Sequence, residues 1–141
     1  MNKKRLGIGF IGGGFISRFH IQSLISVRDV DVFGVMSKTK QSAEETAELA
    51  NDLGLGPAKA YDTITEMVED PSINALWVCS PNFARIDTFE EIANAIKSGK
   101  GELVGVTCEK PLGRNVAEAK KVLELTPVSY THLTLPTILL V

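Results

Sequence analysis

The chain has 141 residues, enough for one domain with a single core and too few for two domains of ordinary size. Its net charge of −2 gives no electrostatic reason to expect nucleic acid or an anionic membrane as a partner, and no run reaches the roughly 18 apolar residues of a membrane helix. The basic start lacks a cleavage site, so we expect a cytoplasmic protein. Cys79 and Cys108 follow apolar runs and are expected to be buried thiols in a reducing compartment, neither a disulfide nor a metal site.

Strand and helix patterns alternate along the chain, which predicts an α/β fold with a doubly wound parallel sheet. Ser42 with Glu45 suggests a capping box for the second helix, and either Asp62 or Thr63 is expected to cap the third. Trp77 is expected in the core. The predicted strands are 6–11, 30–36, 59–61, 75–79 and 103–108, and the predicted helices are 14–27, 42–53, 63–68, 86–97 and 115–125.

A glycine-rich turn joins the first strand to the first helix. Gly12, Gly14 and Ser17 match the G-x-G-x-x-G dinucleotide fingerprint except at its third position, where a small serine still allows close packing of helix on strand. The alternative is a glycine-rich turn without a ligand. Because the turn follows a buried strand and opens a helix, we expect a pyrophosphate at free N–H groups of the helix N-terminus. The expected cofactor-binding residues of this turn are Gly12, Gly13, Gly14, Phe15 and Ile16.

The end of the second strand indicates which dinucleotide binds. NAD sites usually place Asp or Glu there to accept a hydrogen bond from the ribose 2′-OH, whereas this chain has Ser37, Lys38, Thr39 and Lys40. A hydroxyl and cations suit a 2′-phosphate, so Ser37 and Lys38 predict NADP in preference to NAD. The alternative is that the lysines are solvated loop charges.

The last fifteen residues differ in character from the rest. Residues 127–141 carry no Asp, Glu, Lys or Arg and do not continue the helix pattern. They could form a strand, a proline break and a short apolar end, but they also resemble the translation of a transposon-based sequencing adapter, which we favour. We therefore expect a dinucleotide-binding domain over 1–126, incomplete and lacking a second domain, followed by a non-native tail.

Three motifs in order resemble the glucose–fructose oxidoreductase/inositol dehydrogenase (Gfo/Idh/MocA) family over residues 6–125. The first is the glycine turn with His20 one helical turn further on. The second is Ser80-Pro81-Asn82 after the fourth strand, and the third and most specific is 108–112, Cys-Glu-Lys-Pro-Leu. The resemblance implies a two-domain enzyme that moves hydride between nicotinamide and a hydroxyl or carbonyl carbon of a sugar or polyol-like small molecule. It also implies a homo-oligomer formed through the missing substrate domain.

The resemblance also implies roles for individual residues. Lys110 would be catalytic, bonding the reacting oxygen, and would also touch the cofactor. Glu109 would lie near the nicotinamide ribose, while Ser80, Pro81 and Asn82 would line the cofactor. Oxidation of an alcohol requires removal of its O–H proton, and a lysine can accept it when burial or nearby positive charge favours the neutral amine.

Several features depart from the family pattern. Arg85 occupies a position where family members often carry His, and it could contact an anionic substrate or pair with Asp87 or Glu90. The family's catalytic Asp and His would come from the missing domain. His132 lies in the suspected tail, and His20 is expected to pack in the first helix, so we expect the fragment itself to be inactive. The rival interpretation is a non-catalytic redox-sensor module on the same fold, which needs no lysine at the nicotinamide end.

Overall fold

The computed structural model describes residues 5–126 and the backbone of 133–134. Within these residues, six strands alternate with five α-helices, and short 3₁₀ turns occupy Leu24–Ser26 and Asn82–Ala84. The strands are β1 (Leu6–Ile11), β2 (Val30–Met36), β3 (Lys59–Tyr61), β4 (Ala75–Val78), β5 (Gly105–Cys108) and β6 (Leu133–Thr134). The helices are α1 (Phe15–Ser23), α2 (Lys40–Asp52), α3 (Ile64–Glu69), α4 (Arg85–Lys97) and α5 (Val116–Leu125).

The strands form one sheet in the order β3-β2-β1-β4-β5-β6, with every pair parallel. The strand order reverses between β1 and β4, where Phe10 lies opposite Trp77 and Ile11 opposite Val78. In open sheets of this kind, ligands bind outside the carboxyl ends of the strands at such a switch point. The prediction of a doubly wound parallel sheet is therefore confirmed.

Successive side chains along each strand point to opposite faces of the sheet, and a hydrophobic core packs against each face. Ile11, Leu76 and Val106 pack with helices α3, α4 and α5 on one face. Phe10 and Val35 pack with α1 and α2 on the other. The close contact of α2 with the sheet follows from its buried small residues, Ala43, Thr46, Ala47 and Ala50.

Two sequence predictions about helix starts have different outcomes. The second helix begins at Lys40, because the Thr39 hydroxyl accepts a hydrogen bond from the Ser42 N–H. The predicted Ser42–Glu45 capping box is therefore wrong. At α3, Thr63 forms the cap together with Glu66, which decides between the two candidates for that position.

The strand and helix limits differ from prediction by a few residues. The first α-helix stops at Ser23 and continues as the 3₁₀ turn. Strand β5 starts at Gly105, not at 103, because its partner β4 begins only at Ala75. Upstream of that point, the Val104 N–H still donates to the Asn74 carbonyl at 2.8 Å.

The last strand consists of Leu133 and Thr134, which pair with Val106 and Thr107 of β5. The remaining residues of the suspected tail, 127–132 and 135–141, lie outside the described residues. The domain boundary at 126 and the non-native origin of the tail therefore stay predictions. Within the described ranges, no helix is long and apolar enough to cross a membrane.

Candidate functional site

A cavity of about 630 Å³ opens at the carboxyl edge of the sheet, above the switch point between β1 and β4. Its walls come from the glycine turn, the loop after β2 and the loop after β4. The lining residues include Gly12, Gly13, Gly14, Phe15, Ile16, Ser37, Lys38, Ser80, Pro81 and Phe83.

The first glycine of the turn has a conformation that few other residues adopt. Gly12 has a φ of 111°, and a Cβ there would lie 3.0 Å from the carbonyl carbon of Cys79. Its N–H donates to the Met36 carbonyl at 2.7 Å, which ties the turn to β2. The buried Ser17 hydroxyl donates to the Gly12 carbonyl at 2.5 Å. A serine at the third fingerprint position thus closes the turn with a hydrogen bond that glycine could not make.

The second glycine connects the turn to helix α2. The Gly13 N–H donates to Ser37 Oγ at 3.1 Å, and its carbonyl accepts from Ser42 Oγ at 3.1 Å and Thr46 Oγ1 at 2.9 Å. A Cβ on Gly13 would lie 2.6 Å from the Ser42 carbonyl oxygen. Only glycine lets the two segments approach so closely.

The N-terminus of α1 faces the cavity with features that suit an anion. Gly14 is the N-cap, no side chain caps this end, and the first turn holds no acidic residue. A Cβ on Gly14 would meet no atom of the described chain within 4 Å. Ser80 Oγ, on the opposite wall, is buried without a hydrogen-bond partner among the described residues. Open space and N–H groups at a helix start fit a dinucleotide diphosphate.

The loop after β2 places a cation at the first cavity. Thr39 caps α2, and Lys40 lies 4.0 Å from an Asp62 carboxylate oxygen. Lys38 is exposed, lines the cavity and forms no ion pair with any residue in the described part of the chain.

A second cavity of about 230 Å³ adjoins the first at the end of β5, and the two share Ile16, Cys79, Ser80 and Pro81. Lys110 lines it and is exposed, with no ion pair to a described residue. Asn82, Arg85, Glu109 and Pro111 complete the wall. Every site residue predicted from the sequence therefore lines one of two adjoining cavities.

His20 and Arg85 have contacts that sequence reasoning missed. His20 Nε2 lies 2.5 Å from Glu109 Oε1, and the imidazole stacks on Trp77 with ring centroids 4.2 Å apart. Trp77 also stacks on Phe10, but it is half-buried, and its Nε1 has no hydrogen-bond partner among the described residues. The prediction that His20 only packs is incomplete, because this side chain also connects α1 to the loop after β5.

Arg85 is 2% exposed, and its guanidinium donates to backbone carbonyls of the loops after β4 and β5. Of the two alternatives for Arg85, an ion pair with Asp87 or Glu90 is not formed among the described residues, and contact with an anionic substrate stays a prediction.

The two thiols lie on opposite faces of the sheet, since Cys79 packs with the α1–α2 side and Cys108 with the α3–α5 side. Both are free, as predicted. Burial raises the pKa of Cys79 to about 12 and that of Cys108 to about 11. Both are therefore protonated at neutral pH and have little nucleophilic character.

A family model described as "Oxidoreductase family, NAD-binding Rossmann fold" (Gfo/Idh/MocA) matches residues 6–129. The chain belongs to this family. Among its relatives is a myo-inositol 2-dehydrogenase of Thermotoga maritima, 32% identical over 119 residues, which cover 84% of this chain and 32% of that protein. A 1,5-anhydro-D-fructose reductase of Ensifer adhaerens is 32% identical over 113 residues, covering 80% and 30% respectively. The chain thus spans about a third of the length of these curated Gfo/Idh/MocA proteins.

Solved structures of the Gfo/Idh/MocA family share the fold. The crystal structure of myo-inositol dehydrogenase from Lactobacillus casei, in complex with NAD(H) and myo-inositol, aligns with a TM-score of 0.73 and 27% identity. The alignment covers 94% of this chain and 36% of that one. The resemblance to this family predicted from three short motifs is therefore confirmed, and the fold is that of its NAD-binding domain.

Proposed function

We propose that this chain is the cofactor-binding part of an oxidoreductase that transfers hydride between a nicotinamide dinucleotide and a CH–OH or carbonyl carbon. One observation carries the proposal: the glycine turn and Lys110 lie on two adjoining cavities at the switch point of the sheet. A dinucleotide placed with its diphosphate at α1 extends toward β5 along this edge.

The residues present fit the cofactor. Gly12 and Gly13 shape the turn, Gly14 leaves room for phosphate, and the α1 N-terminus supplies N–H groups and a favourable dipole. Ser80 Oγ gains a hydrogen-bond partner if it contacts the bound cofactor. The cofactor supplies the hydride donor or acceptor, and the chain supplies its orientation.

We propose NADP as the preferred dinucleotide. Ser37 and the unpaired Lys38 stand where an NAD site would have a carboxylate, and Lys38 lines the same cavity as the glycine turn. A lysine ammonium stabilises a 2′-phosphate and gives no hydrogen-bond acceptor for a free 2′-OH. The NAD(H) complex of the Lactobacillus casei relative keeps NAD as the other candidate.

Lys110 is proposed as the group that exchanges a proton with the reacting oxygen. It lies at the carboxyl end of β5, exposed in the second cavity and without an ionic partner among the described residues. Glu109 beside it contacts His20 through Oε1 and forms no ion pair with Lys110 in the described structure. With its amine neutral, Lys110 would accept the proton of a sugar or polyol hydroxyl as hydride leaves the carbon for the nicotinamide.

The class of substrate follows from the relatives, whose names include an inositol dehydrogenase and an anhydrofructose reductase. Membership of the oxidoreductase family disfavours the redox-sensor alternative. Assembly into a homo-oligomer stays a prediction.

The proposed function is tested by titrating the purified chain with NADPH and with NADH. Trp77 is the only tryptophan and stacks on His20, which contacts the loop that carries Lys110, so quenching of its emission reports binding at that end. Saturable binding with NADPH tighter than NADH supports the proposal. Tighter NADH binding would overturn the cofactor preference, and absence of binding to either would overturn the function.

A further inference from the structure

Arg85 contacts both loops that carry the site motifs, the loop after β4 and the loop after β5. Its Nε donates to the Ser80 carbonyl at 3.0 Å, on the loop after β4. Its Nη1 donates to the carbonyls of Glu109 and Pro111, the latter at 3.0 Å, on the loop after β5. The same nitrogen lies 2.8 Å from Cys108 Sγ. One guanidinium therefore bridges both loops and contacts the residues on either side of Lys110.

The Arg85 guanidinium is a buried charge whose acceptors are backbone carbonyls. Arg85 is 2% exposed, and no carboxylate in the described part of the chain forms an ion pair with it. Removing a cation from water is costly unless strong acceptors replace the water. Here the acceptors are backbone carbonyls, which can approach the charge only if both loops keep this conformation. The free energy of satisfying the buried charge therefore favours one arrangement of the two loops.

We infer that Arg85 is a positioning residue, which sets Lys110 and Ser80 at the distance needed to bind the nicotinamide end of the cofactor. The inference rests on the proposed function, because it assigns that end of the dinucleotide to the second cavity. Arg85 acts through the backbone of the loops and is not proposed to touch the reacting atoms. A lysine has one charged nitrogen and lacks the planar fork that reaches several carbonyls at once, so it should replace Arg85 only in part.

The test compares wild type with Arg85→Met, Arg85→Lys and the matched control Lys97→Met. Lys97 is exposed at the other end of the same helix and makes no ion pair with a described residue, so its loss removes an equal charge without touching the loops. Each protein is titrated with NADPH and with 2′-phospho-ADP-ribose, which is NADP without the nicotinamide ring. The ratio of the two dissociation constants isolates the contribution of the ring.

If Arg85 only stabilised the fold, replacing it would weaken the binding of both ligands by the same factor. We expect Arg85→Met to weaken NADPH binding about tenfold and 2′-phospho-ADP-ribose binding less than about twofold. The reason is that displaced Lys110 and Ser80 would lose only their contacts with the nicotinamide ring. Arg85→Lys should lie between these limits, and Lys97→Met should match wild type. Equal weakening of both ligands in Arg85→Met, or weakening of neither, overturns the inference.

A second measurement needs no ligand and separates this inference from the proposed function. Amide hydrogen exchange of the segment 109–114 should become at least about tenfold faster in Arg85→Met, with helix α2 unchanged as an internal reference. If wild type binds no dinucleotide while this segment still loosens, the proposed function is wrong and the loop contact remains. If exchange in the segment is unchanged, Arg85 does not fix these loops. Should Arg85→Met fail to fold, Arg85→Lys carries both measurements.

Discussion

Replacing Gly14 by alanine should separate ligand binding from folding. A Cβ at Gly14 meets no atom of the described chain within 4 Å, and its backbone is extended, with φ −83° and ψ −170°, which alanine adopts without strain. The same Cβ projects into the space that we assign to the diphosphate. The variant should therefore fold as wild type does and bind NADPH poorly.

The expected sizes follow from the local geometry. Alanine is a poorer N-cap than glycine by about 0.5–1 kcal/mol, and the loss of glycine's freedom in the unfolded chain offsets this by about 0.4–1 kcal/mol. The net change in unfolding free energy should be within about 0.5 kcal/mol. The methyl group of Gly14→Ala, placed against the phosphate, should weaken NADPH binding at least tenfold, which corresponds to about 1.4 kcal/mol.

Gly12→Ala provides the contrast. With φ at 111° and a Cβ 3.0 Å from the Cys79 carbonyl carbon, alanine is strained at Gly12 whether or not ligand is present. Strain of about 1–3 kcal/mol plus crowding should lower Tm by roughly 5–15 °C. Thermal melts without ligand and NADPH titrations of both variants make the comparison. Wild-type NADPH affinity in Gly14→Ala, or a Tm loss as large as that of Gly12→Ala, would refute the assignment of the diphosphate to the start of α1.

Three other changes give expected outcomes. Lys38→Glu should weaken NADPH about tenfold in a fluorescence titration and leave NADH binding equal or tighter; an equal loss for both would contradict the 2′-phosphate role. In a full-length relative with the same Glu-Lys-Pro segment, Met in place of the residue matching Lys110 should abolish turnover and keep cofactor binding within about threefold; retained turnover would remove the lysine from the chemistry. The Tyr61 hydroxyl, 2.6 Å from an Asp70 oxygen, and the Ser72 N–H lower the pKa of Asp70 to about 2, so its stabilisation is present above the ordinary carboxyl pKa of 3.8 and lost as pH falls toward 2. Tyr61→Phe should shift acid unfolding to higher pH, and an unchanged acid midpoint would deny that contribution.

The sequence predicted the fold because local patterns and the sheet agree. Apolar runs of strand length alternate with amphipathic helices, and the glycine turn between β1 and α1 has one well-known geometry. Errors occurred where two local signals competed. Both Thr39 and Ser42 are good cap residues, and the choice depended on Ser42 Oγ donating to the Gly13 carbonyl, a contact between residues 29 positions apart.

The candidate site was predictable wherever a motif carries its residues. The contacts of His20 with Glu109 and of Arg85 with the Pro111 carbonyl join residues 89 and 26 positions apart, and no local pattern marks them. They depend on which strands become neighbours and which helix face packs beneath the loops. Their detection therefore required the three-dimensional structure.

A crystal structure of the chain with NADP⁺ would show where each part of the cofactor binds. We expect the diphosphate against the backbone N–H groups at the start of α1, the 2′-phosphate beside Lys38 and the nicotinamide ring in the second cavity, next to Lys110. A dinucleotide bound elsewhere, or one whose nicotinamide ring points away from Lys110, would contradict this expectation.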